Sequence, residues 1–294
     1  DLIRQYLIEN LHRSVVVLRP AEGLSDQKEA EEQEKLAAIR ASMNETDLDA
    51  IFQNTRQLKI RQETPDSPEA LATIPSLKLE DLDRQNKFIP LEVSNICGAE
   101  ALYHDLFTNG IVYLDLGFNL HGLNQDDLPY LSLFGRALLE MGAGGVDFVR
   151  LSQRIGRSTG GIRPAVYTSS VVGQKEAAAW FFLRSKATLE HGVDLLSILK
   201  DVLLDPCLDN PARFRQIVLE EKADMEAILV PAGHRIANTR LRAFFSEAGW
   251  LDEQMGGISY LFFLRKLAEQ VDSDWPGVLA HLQAIRATLL DRNA

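Results

Sequence analysis

The sequence predicts an α+β fold in which a mixed, mainly antiparallel sheet has helices packed on one side and is preceded by an antiparallel helical hairpin. Three observations support this prediction. Residues 21–63 are rich in Glu, Ala, Lys and Gln and contain no proline, a composition that favours helices. Short β-branched or alternating segments occur between residues 88 and 187, whereas apolar residues recur at helical spacing from residue 189 onward. Strands followed by helices are typical of α+β domains.

The first twenty residues predict the end of a helix followed by a strand. A β-branched run at residues 14–18 (SVVVL) follows the helical segment, and Pro20 ends it. A lone strand cannot pair its own backbone groups, so we expect it to join a sheet or to pair with a neighbouring copy through an exposed edge. The apolar residues of the preceding segment lie at helical spacing: Leu2, Ile3, Tyr6 and Leu7.

Residues 21–63 predict two helices joined by a very short loop. The first is expected over residues 26–42, and the second begins after Asn44, a favourable N-cap that acidic residues follow. Two such helices form an antiparallel hairpin. Its apolar stripe is thin, so we expect the hairpin to lean on another part of the protein and to serve as an interdomain linker. The stripe consists of Leu48, Ile51, Phe52, Thr55 and Leu58.

An extended connector with three prolines between residues 64 and 87 marks the expected domain boundary. An alternation of strands and helices follows it. The expected strands cover residues 88–93, 99–104, 110–120, 161–172 and 178–187. The expected helices cover residues 126–141, 146–155, 189–204, 211–229, 234–246, 257–271 and 276–290. The first of these helices should face the core with Leu128, Leu131, Phe134, Leu138 and Met141.

Composition excludes several classes of function. The 294 residues carry a formal net charge of −11, which is not the basic footprint of a nucleic-acid-binding protein. No apolar run reaches the ~18–20 residues that a membrane helix needs. Cys97 and Cys207 form neither a disulfide framework nor a C-x-x-C metal site, and they are expected to be small buried residues in a reducing compartment.

The segment Gly156–Gly160 (GRSTG) matches the G-x-S-x-G pattern of serine hydrolases, with Ser158 as the nucleophile. That pattern requires a strand before the serine and a helix after it, whereas here a helix precedes and a strand follows. We therefore interpret the segment as a helix C-terminus, with Gly160 and Gly161 allowing the turn into the next strand. An independent enzyme that uses Ser158 or scattered histidines stays a remote alternative.

The histidines show no metal-binding pattern. None stands in H-x-x-x-H or H-x-x-E-H spacing, which places two imidazoles one turn apart on a helix. They are therefore expected to be surface or core residues, although ligands from separate elements stay an open alternative. The six are His12, His104, His121, His191, His234 and His281.

The acidic residues do not indicate a catalytic pair. Neighbours on a helix point in different directions, so Glu220 and Glu221 are expected to form part of a solvated acidic face near Arg213 and Arg215. The face continues with Asp224 and Glu226, while Asp126 and Asp127 fit helix capping.

Glycine pairs and aromatic residues have simple structural interpretations. The GAGG segment at 142–145 and the pair Gly256–Gly257 predict turns, because neither has the lysine or the strand-to-helix setting of a phosphate loop. The core is expected to contain Phe181, Phe182, Phe262 and Phe263. These residues indicate a soluble α+β domain with a helical arm, and they name no function by themselves.

Five segments, taken in order, resemble the presequence protease branch of the pitrilysin/insulinase metallopeptidases. They are TPDSPEALATIPSLKLEDL (64–82), LYHDLFTNGIVYLDLGFNL (102–120), LPYLSLFGRALLEMG (128–142), RLSQRIGRSTGGI (150–162) and GHRIANTRLRAFFSEAGWLDEQMGGISYLFFL (233–264). The last two are long and unusual, and the resemblance covers nearly the whole chain. It implies a middle fragment: residues 1–20 as the tail of a second domain, 21–70 as the hairpin linker and 71–294 as a third, non-catalytic domain with the LuxS/MPP-like metallopeptidase fold.

The resemblance also implies a function for the parent protein. Such proteins have four homologous domains in two halves, which close like a clamshell around a chamber that admits unfolded peptides. The first domain carries zinc on an inverted H-x-x-E-H motif with a further glutamate downstream, and the motif's own glutamate acts as the general base. This chain is then expected to supply chamber wall and hinge, with the remaining domains and unfolded peptides as partners and neither nucleic acid nor membrane.

The zinc positions can be sought in this chain by the same resemblance. The corresponding segment, Leu133–Gly142, contains Glu140 but neither flanking histidine, and Glu220 and Glu221 lie near where the downstream glutamate would be. We therefore expect no catalytic residue, metal ligand or cofactor in this chain, and its substrate-binding residues stay unknown. The substrate-binding Arg/Tyr pair of the family is expected in the fourth domain.

Two questions stay open at the level of the sequence. Some relatives keep the fold with degenerate metal sites and act as scaffold subunits, so a scaffold or interaction protein without peptidase activity is the alternative to part of an enzyme. An upstream H-x-x-E-H motif in the parent would distinguish the two. The expected compartment is the bacterial cytoplasm, with the mitochondrial matrix or plastid stroma as the alternative.

Overall fold

The computed structural model describes residues 2–14, 16–19 and 21–290, which form two compact units. The first unit ends at Phe88 and the second begins at Ile89. The first unit contains a π-helix at Arg4–Ile8, the helices α1 (Leu24–Ser42), α2 (Glu45–Glu63) and α3 (Pro68–Leu71), and a 3-10 turn at Leu79–Asp81.

The second unit begins with strands and ends with helices, as the sequence predicts. Its strands are β1 (Glu92–Ile96), β2 (Ala99–Tyr103), β3 (Ile111–Asn119), β4 (Ile162–Ser170) and β5 (Ala177–Thr188). Its helices are α4 (Leu131–Glu140), α5 (Phe148–Ser158), α6 (Gly192–Leu204), α7 (Pro211–Ile228), α8 (Gly233–Arg242), α9 (Glu247–Gly256), α10 (Ile258–Ser273) and α11 (Trp275–Leu290). Short 3-10 turns occupy Gln125–Tyr130 and Leu189–His191.

A local interaction defines the start of the second long helix in the first unit. The side chain of Asn44 accepts a hydrogen bond from the Asp47 amide at 3.0 Å, and the Asp47 carboxylate accepts one from the Asn44 amide at 3.1 Å. This capping box pairs two amides that would otherwise lack partners at the start of α2. No described residue of α1 or α2 is buried, and every residue of the apolar stripe predicted for α2 is exposed.

The strand expected at residues 14–18 is not found in the described residues. Residues 14 and 16–18 adopt no regular structure and are exposed, and Val15 lies outside the described residues. The β-branched run by itself is not sufficient, because a strand forms only where another strand pairs with its backbone.

The second unit contains two antiparallel sheets. Strands β1 and β2 form a hairpin whose two turn residues, Cys97 and Gly98, both have positive φ angles of 54° and 92°. Such a turn matches the twist of the strands that it connects. The other sheet has the order β3–β5–β4 and is antiparallel throughout. The predicted α+β class is therefore confirmed.

Burial alternates along β5 and shows which face of the sheet the helices cover. Phe181 and Leu183 point to the core and are at most 1% exposed, whereas Trp180 on the other face is 39% exposed. Helices α4 and α9 contact β4, α6 contacts β5 and α11 contacts β3. The helices therefore pack on one side of the sheet, and the five core-facing residues predicted for α4 and its preceding turn are all buried.

Several details differ from the sequence-based expectations. The strand expected over residues 88–93 is found at Glu92–Ile96. The segment 247–256 is helix α9, with Ser246 as its N-cap, and not a gap between two helices. Phe262 is 59% exposed, because it points away from the face of α10 that carries the buried Leu261 and Leu264. Both cysteines are exposed rather than buried: Cys97 lies in the hairpin turn, and Cys207 follows α6.

Candidate functional site

A network of charged residues joins α4 to α7 at the position that the sequence suggested for a degenerate zinc site. Arg136 of α4 lies one turn before Glu140, and its Nε donates to Glu140 Oε1 at 2.8 Å while Nη2 donates to Glu140 Oε2 at 3.1 Å. From α7, Glu220 Oε2 accepts from Nη2 at 2.6 Å and Glu221 Oε2 accepts from Nη1 at 3.4 Å. The guanidinium thus lies among three carboxylates.

All the donors of Arg136 are used within the protein. A guanidinium has five N–H groups, and the fifth reaches the backbone carbonyl of Ile217 at 3.5 Å. The bonds to Glu140 and then to Glu220 raise the pKa of Arg136 above its ordinary value, against the opposing effect of burial. The side chain is 23% exposed. Arg136 is therefore a structural cation with no donor left for a ligand.

A second arginine completes the network. Arg213 at the start of α7 donates from Nη2 to Glu140 Oε2 and from Nε to the Glu140 carbonyl, both at 3.0 Å. The hydrogen bond from Arg136 lowers the pKa of Glu220 from its ordinary value. The three carboxylates therefore converge on Arg136, whose guanidinium occupies the space between them.

Glu220 is exposed, as expected for a solvated acidic face, but Glu221 is partly buried and both side chains bond to Arg136. Neighbouring side chains on a helix do diverge, but Arg136 is long and forked, and it reaches both. The pair Arg136–Glu140 could have been found from its four-residue spacing. The contact to α7 spans more than eighty positions of sequence, so only the packing of α4 on α7 reveals it.

A cleft of about 480 Å³ lies next to this network, between α4 on one side and α8 and α9 on the other. Its floor is apolar and comes from the inner face of the sheet, including Val166 and Phe181, and from Leu131. Its polar wall contains Ser132, Arg136, Thr239 and Asp252. Gly135 allows α4 to lie this close to the sheet, because a Cβ atom there would stand 2.5 Å from the Cβ of Pro164.

The polar groups around the cleft are unequally satisfied. Asp252 Oδ1 accepts a short hydrogen bond from the Thr168 hydroxyl, while Oδ2 has no hydrogen bond from a described residue. The Tyr260 hydroxyl is buried beside Ser132 and Glu221 and makes no hydrogen bond of ordinary geometry in the described structure. Burial and then the charge of Glu221 raise its pKa above the ordinary value.

The other candidate residues are not brought together. Ser158 is the last residue of α5, is 6% exposed and is followed by Gly161 with φ of 106°, which confirms the helix C-terminus and excludes the strand-to-helix elbow of a serine nucleophile. Gly256 ends α9 and Gly257 caps α10, so this pair is the expected turn. Segment 142–145 likewise turns between α4 and α5.

The histidines lie in separate parts of the structure. His121 contacts Glu176, His191 contacts Asp194, and His104 contacts a backbone carbonyl. The described ranges contain no group of three or more His, Cys, Asp or Glu side chains that is arranged to hold a metal ion. The absence of metal and catalytic residues from this chain stays a prediction.

One pair with a buried carboxylate was not recognisable from the sequence. Asp127 is 4% exposed and accepts a 2.6 Å hydrogen bond from His281 Nδ1 of α11, and the His281 ring stacks on Tyr130 with centroids 4.8 Å apart. Asp127 lies in the first turn of the 3-10 segment as expected, but its side chain makes no capping bond in the described structure and bonds to His281 instead. No local signal links the two residues, because they are about 150 positions apart.

The helices packed on one side of the sheet and the arginine–carboxylate network between α4 and α7 define this protein as an α+β domain with an internal ion-pair network. The chain belongs to the family of regions associated with the peptidases of family M16, subfamily C, whose model matches residues 18–267. The resemblance to presequence proteases inferred from the sequence is confirmed. Within the described residues, no helix has both the length and the apolar character needed to cross a membrane.

Three relatives illustrate the relationship. Presequence protease 1, chloroplastic/mitochondrial, of Arabidopsis thaliana is 41% identical over 292 residues, which cover 99% of this chain and 27% of that protein. Protein HypA of Clostridium perfringens is 34% identical over 271 residues, which cover 92% of this chain and 28% of that protein. Mitochondrial presequence protease of Danio rerio is 25% identical over 274 residues, which cover 92% of this chain and 26% of that protein. The chain thus spans little more than a quarter of the length of these relatives.

Proposed function

We propose that this chain is the non-catalytic third domain, with its helical linker, of a zinc metalloendopeptidase that degrades unfolded peptides inside a clamshell chamber. Its role is to supply part of the chamber wall and the hinge, while the zinc site belongs to the first domain of the parent. The family relationship to presequence proteases supports the peptidase assignment. The observation that carries the non-catalytic assignment is the arginine-filled carboxylate network around Arg136.

The network supports this proposal through the chemistry of zinc. Zinc in catalytic sites takes three protein ligands, usually including imidazoles, and keeps one position open for water. Glu140, Glu220 and Glu221 have no imidazole among them, and each is already paired with a guanidinium group. A zinc ion at this point would have to displace Arg136 and break its hydrogen bonds to all three carboxylates. The site fits a positively charged side chain and does not fit zinc.

The partners follow from the same proposal. The remaining domains of the parent chain would contact this one, and unfolded peptides would be the parent's substrates. The relatives include a bacterial protein and proteins named for mitochondria and chloroplasts. We propose the bacterial cytoplasm as the compartment, with the mitochondrial matrix or plastid stroma as the alternative.

The test is the metal content and peptidase activity of the purified chain. We expect less than stoichiometric zinc, and no cleavage of a mixed unfolded-peptide substrate that zinc stimulates or a chelator abolishes. Stoichiometric zinc together with chelator-sensitive cleavage would overturn the non-catalytic assignment. Arg136→Gln serves as a control, because any metal bound at the carboxylates should bind more tightly once the competing guanidinium is removed.

The parent chain provides the second arm of the test. We expect chelator-sensitive peptide cleavage by the full-length parent and loss of that cleavage when the first histidine of an upstream H-x-x-E-H motif is replaced. A parent with neither the motif nor the activity would instead indicate the scaffold alternative.

A further inference from the structure

The cleft beside α9 has a chemical character that the proposed chamber-wall role does not require. Its floor is apolar, its volume of about 480 Å³ accommodates a long side chain, and one of its walls is β4, an edge strand of the three-stranded sheet. Extended peptides add to such edges through their backbone. The cleft therefore has the shape of a pocket beside a peptide-binding edge.

The charges around the cleft favour a cationic occupant. Arg136 is the one cation among the described lining residues, and all five of its N–H groups bond within the protein. The open acceptor among the described lining residues is Asp252 Oδ2, since Oδ1 already accepts from the Thr168 hydroxyl. An anionic ligand would find no donor from Arg136 and would be repelled by Asp252. A ligand with a cationic N–H donor would satisfy this open acceptor.

We propose that this cleft binds a lysine or arginine side chain of an extended peptide whose backbone runs along β4. The methylene stem of the side chain lies on the apolar floor, as long basic side chains do on apolar surfaces. Its charged head donates to Asp252 Oδ2, and charge-assisted bonds of this kind are the stronger class of hydrogen bond. The assignment deepens the proposed function, on which it rests, by giving this domain a preference for basic peptides.

The test measures binding of short capped peptides to the purified chain. The probe is a fluorescently labelled Ala/Ser heptapeptide with one central arginine, and its control carries citrulline, which has nearly the same shape without the charge. We expect binding about tenfold tighter for the arginine peptide, with an advantage that shrinks as salt is added. Equal affinity for the two peptides, or no binding of either, would overturn the assignment.

Two variants locate the binding at the cleft. Asp252→Asn keeps an oxygen for the Thr168 hydroxyl but removes the charge, so the arginine peptide should bind about as weakly as the citrulline peptide. Gly256→Trp fills the cleft from a position with no heavy atom within 4 Å of an added Cβ, and it should weaken both peptides without altering the fold. Asp224→Asn removes the same charge from an exposed site on α7 and should leave both affinities unchanged. An equal loss in Asp252→Asn and Asp224→Asn would indicate a general charge effect and overturn the assignment.

These outcomes are separate from those of the proposed function. The binding assay needs neither zinc nor cleavage. If the chain binds neither peptide, the cleft assignment is contradicted, but the measurements of metal content and peptidase activity on the chain and its parent are unaffected. Conversely, zinc-dependent cleavage by this chain would contradict the non-catalytic role, whatever the result of the peptide-binding assay.

Discussion

The two units of this protein form helices for different physical reasons. In the unit that ends at Phe88, α1 and α2 bury no described residue, and a capping box defines the start of α2. In the unit that begins at Ile89, α4 and α10 present continuous rows of buried residues to a shared core. The first kind of helix depends on propensity and capping, and the second on tertiary burial. The same amino-acid change should therefore have very different consequences in the two units.

A matched pair of leucine substitutions gives the largest expected effect. Leu264 of α10 is fully buried, so Leu264→Ala should lower the free energy of unfolding by about 2–5 kcal/mol, from lost burial and the cavity left behind. Leu58 of α2 is 56% exposed, and Leu58→Ala should change it by less than about 0.5 kcal/mol. Denaturant unfolding of the full chain, followed by far-ultraviolet circular dichroism from the helices of both units, measures both losses. Similar losses of unfolding free energy in the two variants would show that α2 is packed in solution, and the two units would then not differ in this respect.

The charge network provides a second comparison. Arg136→Gln leaves Glu140, Glu220 and Glu221 close together without their cation, and it should cost about 2–3 kcal/mol, less than for a fully buried pair because the network is partly exposed. The exposed pair of Lys59 and Glu63 on α2 is the control, and Lys59→Gln should cost at most about 0.5 kcal/mol. Thermal unfolding at low and at high salt checks this prediction. If Arg136→Gln leaves the unfolding temperature unchanged at both salt concentrations, the network does not stabilise the packing of α4 on α7.

Alkaline pH should destabilise the second unit through Tyr130. Burial, then the charges of Asp127 and Asp274, raise the pKa of Tyr130 from 10.0 to about 12. A raised tyrosine pKa stabilises the fold fully below the unfolded value, and this contribution is lost as pH rises from about 10 to about 12. We expect about 1–2 kcal/mol to be lost.

The control for this pH dependence is Tyr130→Phe, which cannot ionise. Its free energy of unfolding should fall less between about pH 9 and about pH 11 than that of the unmodified chain, and the ultraviolet absorbance of tyrosinate should show one fewer late-titrating tyrosine. An unchanged pH dependence in Tyr130→Phe would assign the alkaline loss to other groups.

The smallest expected effect concerns the capping box of α2. Asn44→Ala removes the acceptor for the Asp47 amide and should destabilise the start of α2 by about 1 kcal/mol. Because this loss is local, amide hydrogen exchange should accelerate in the first turns of α2, while the thermal transition of the second unit stays unchanged. A shift of that transition would show that the two units unfold as one.

Most elements of the second unit are recognisable from the sequence because their hydrophobic periods are strong. Helix α9 was not predicted, although Ser246 followed by Glu247 is a recognisable helix start. The glycines around α9 and its few apolar residues made the segment resemble a loop. The cleft was missed for the same reason, since α9 supplies Asp252 and one of its walls.

The amino-acid sequence by itself determined the α+β class, the limits of α1 and α2, the core face of α4 and the resemblance to presequence proteases. Capping, periodicity and long shared segments act within short windows, so they can be recognised without a fold. Only the tertiary structure decided that Arg136 joins Glu140 to Glu220 and Glu221, that His281 reaches Asp127 and that Asp252 faces an open cleft. Those contacts join residues far apart in the chain, and packing alone determines which distant side chains meet.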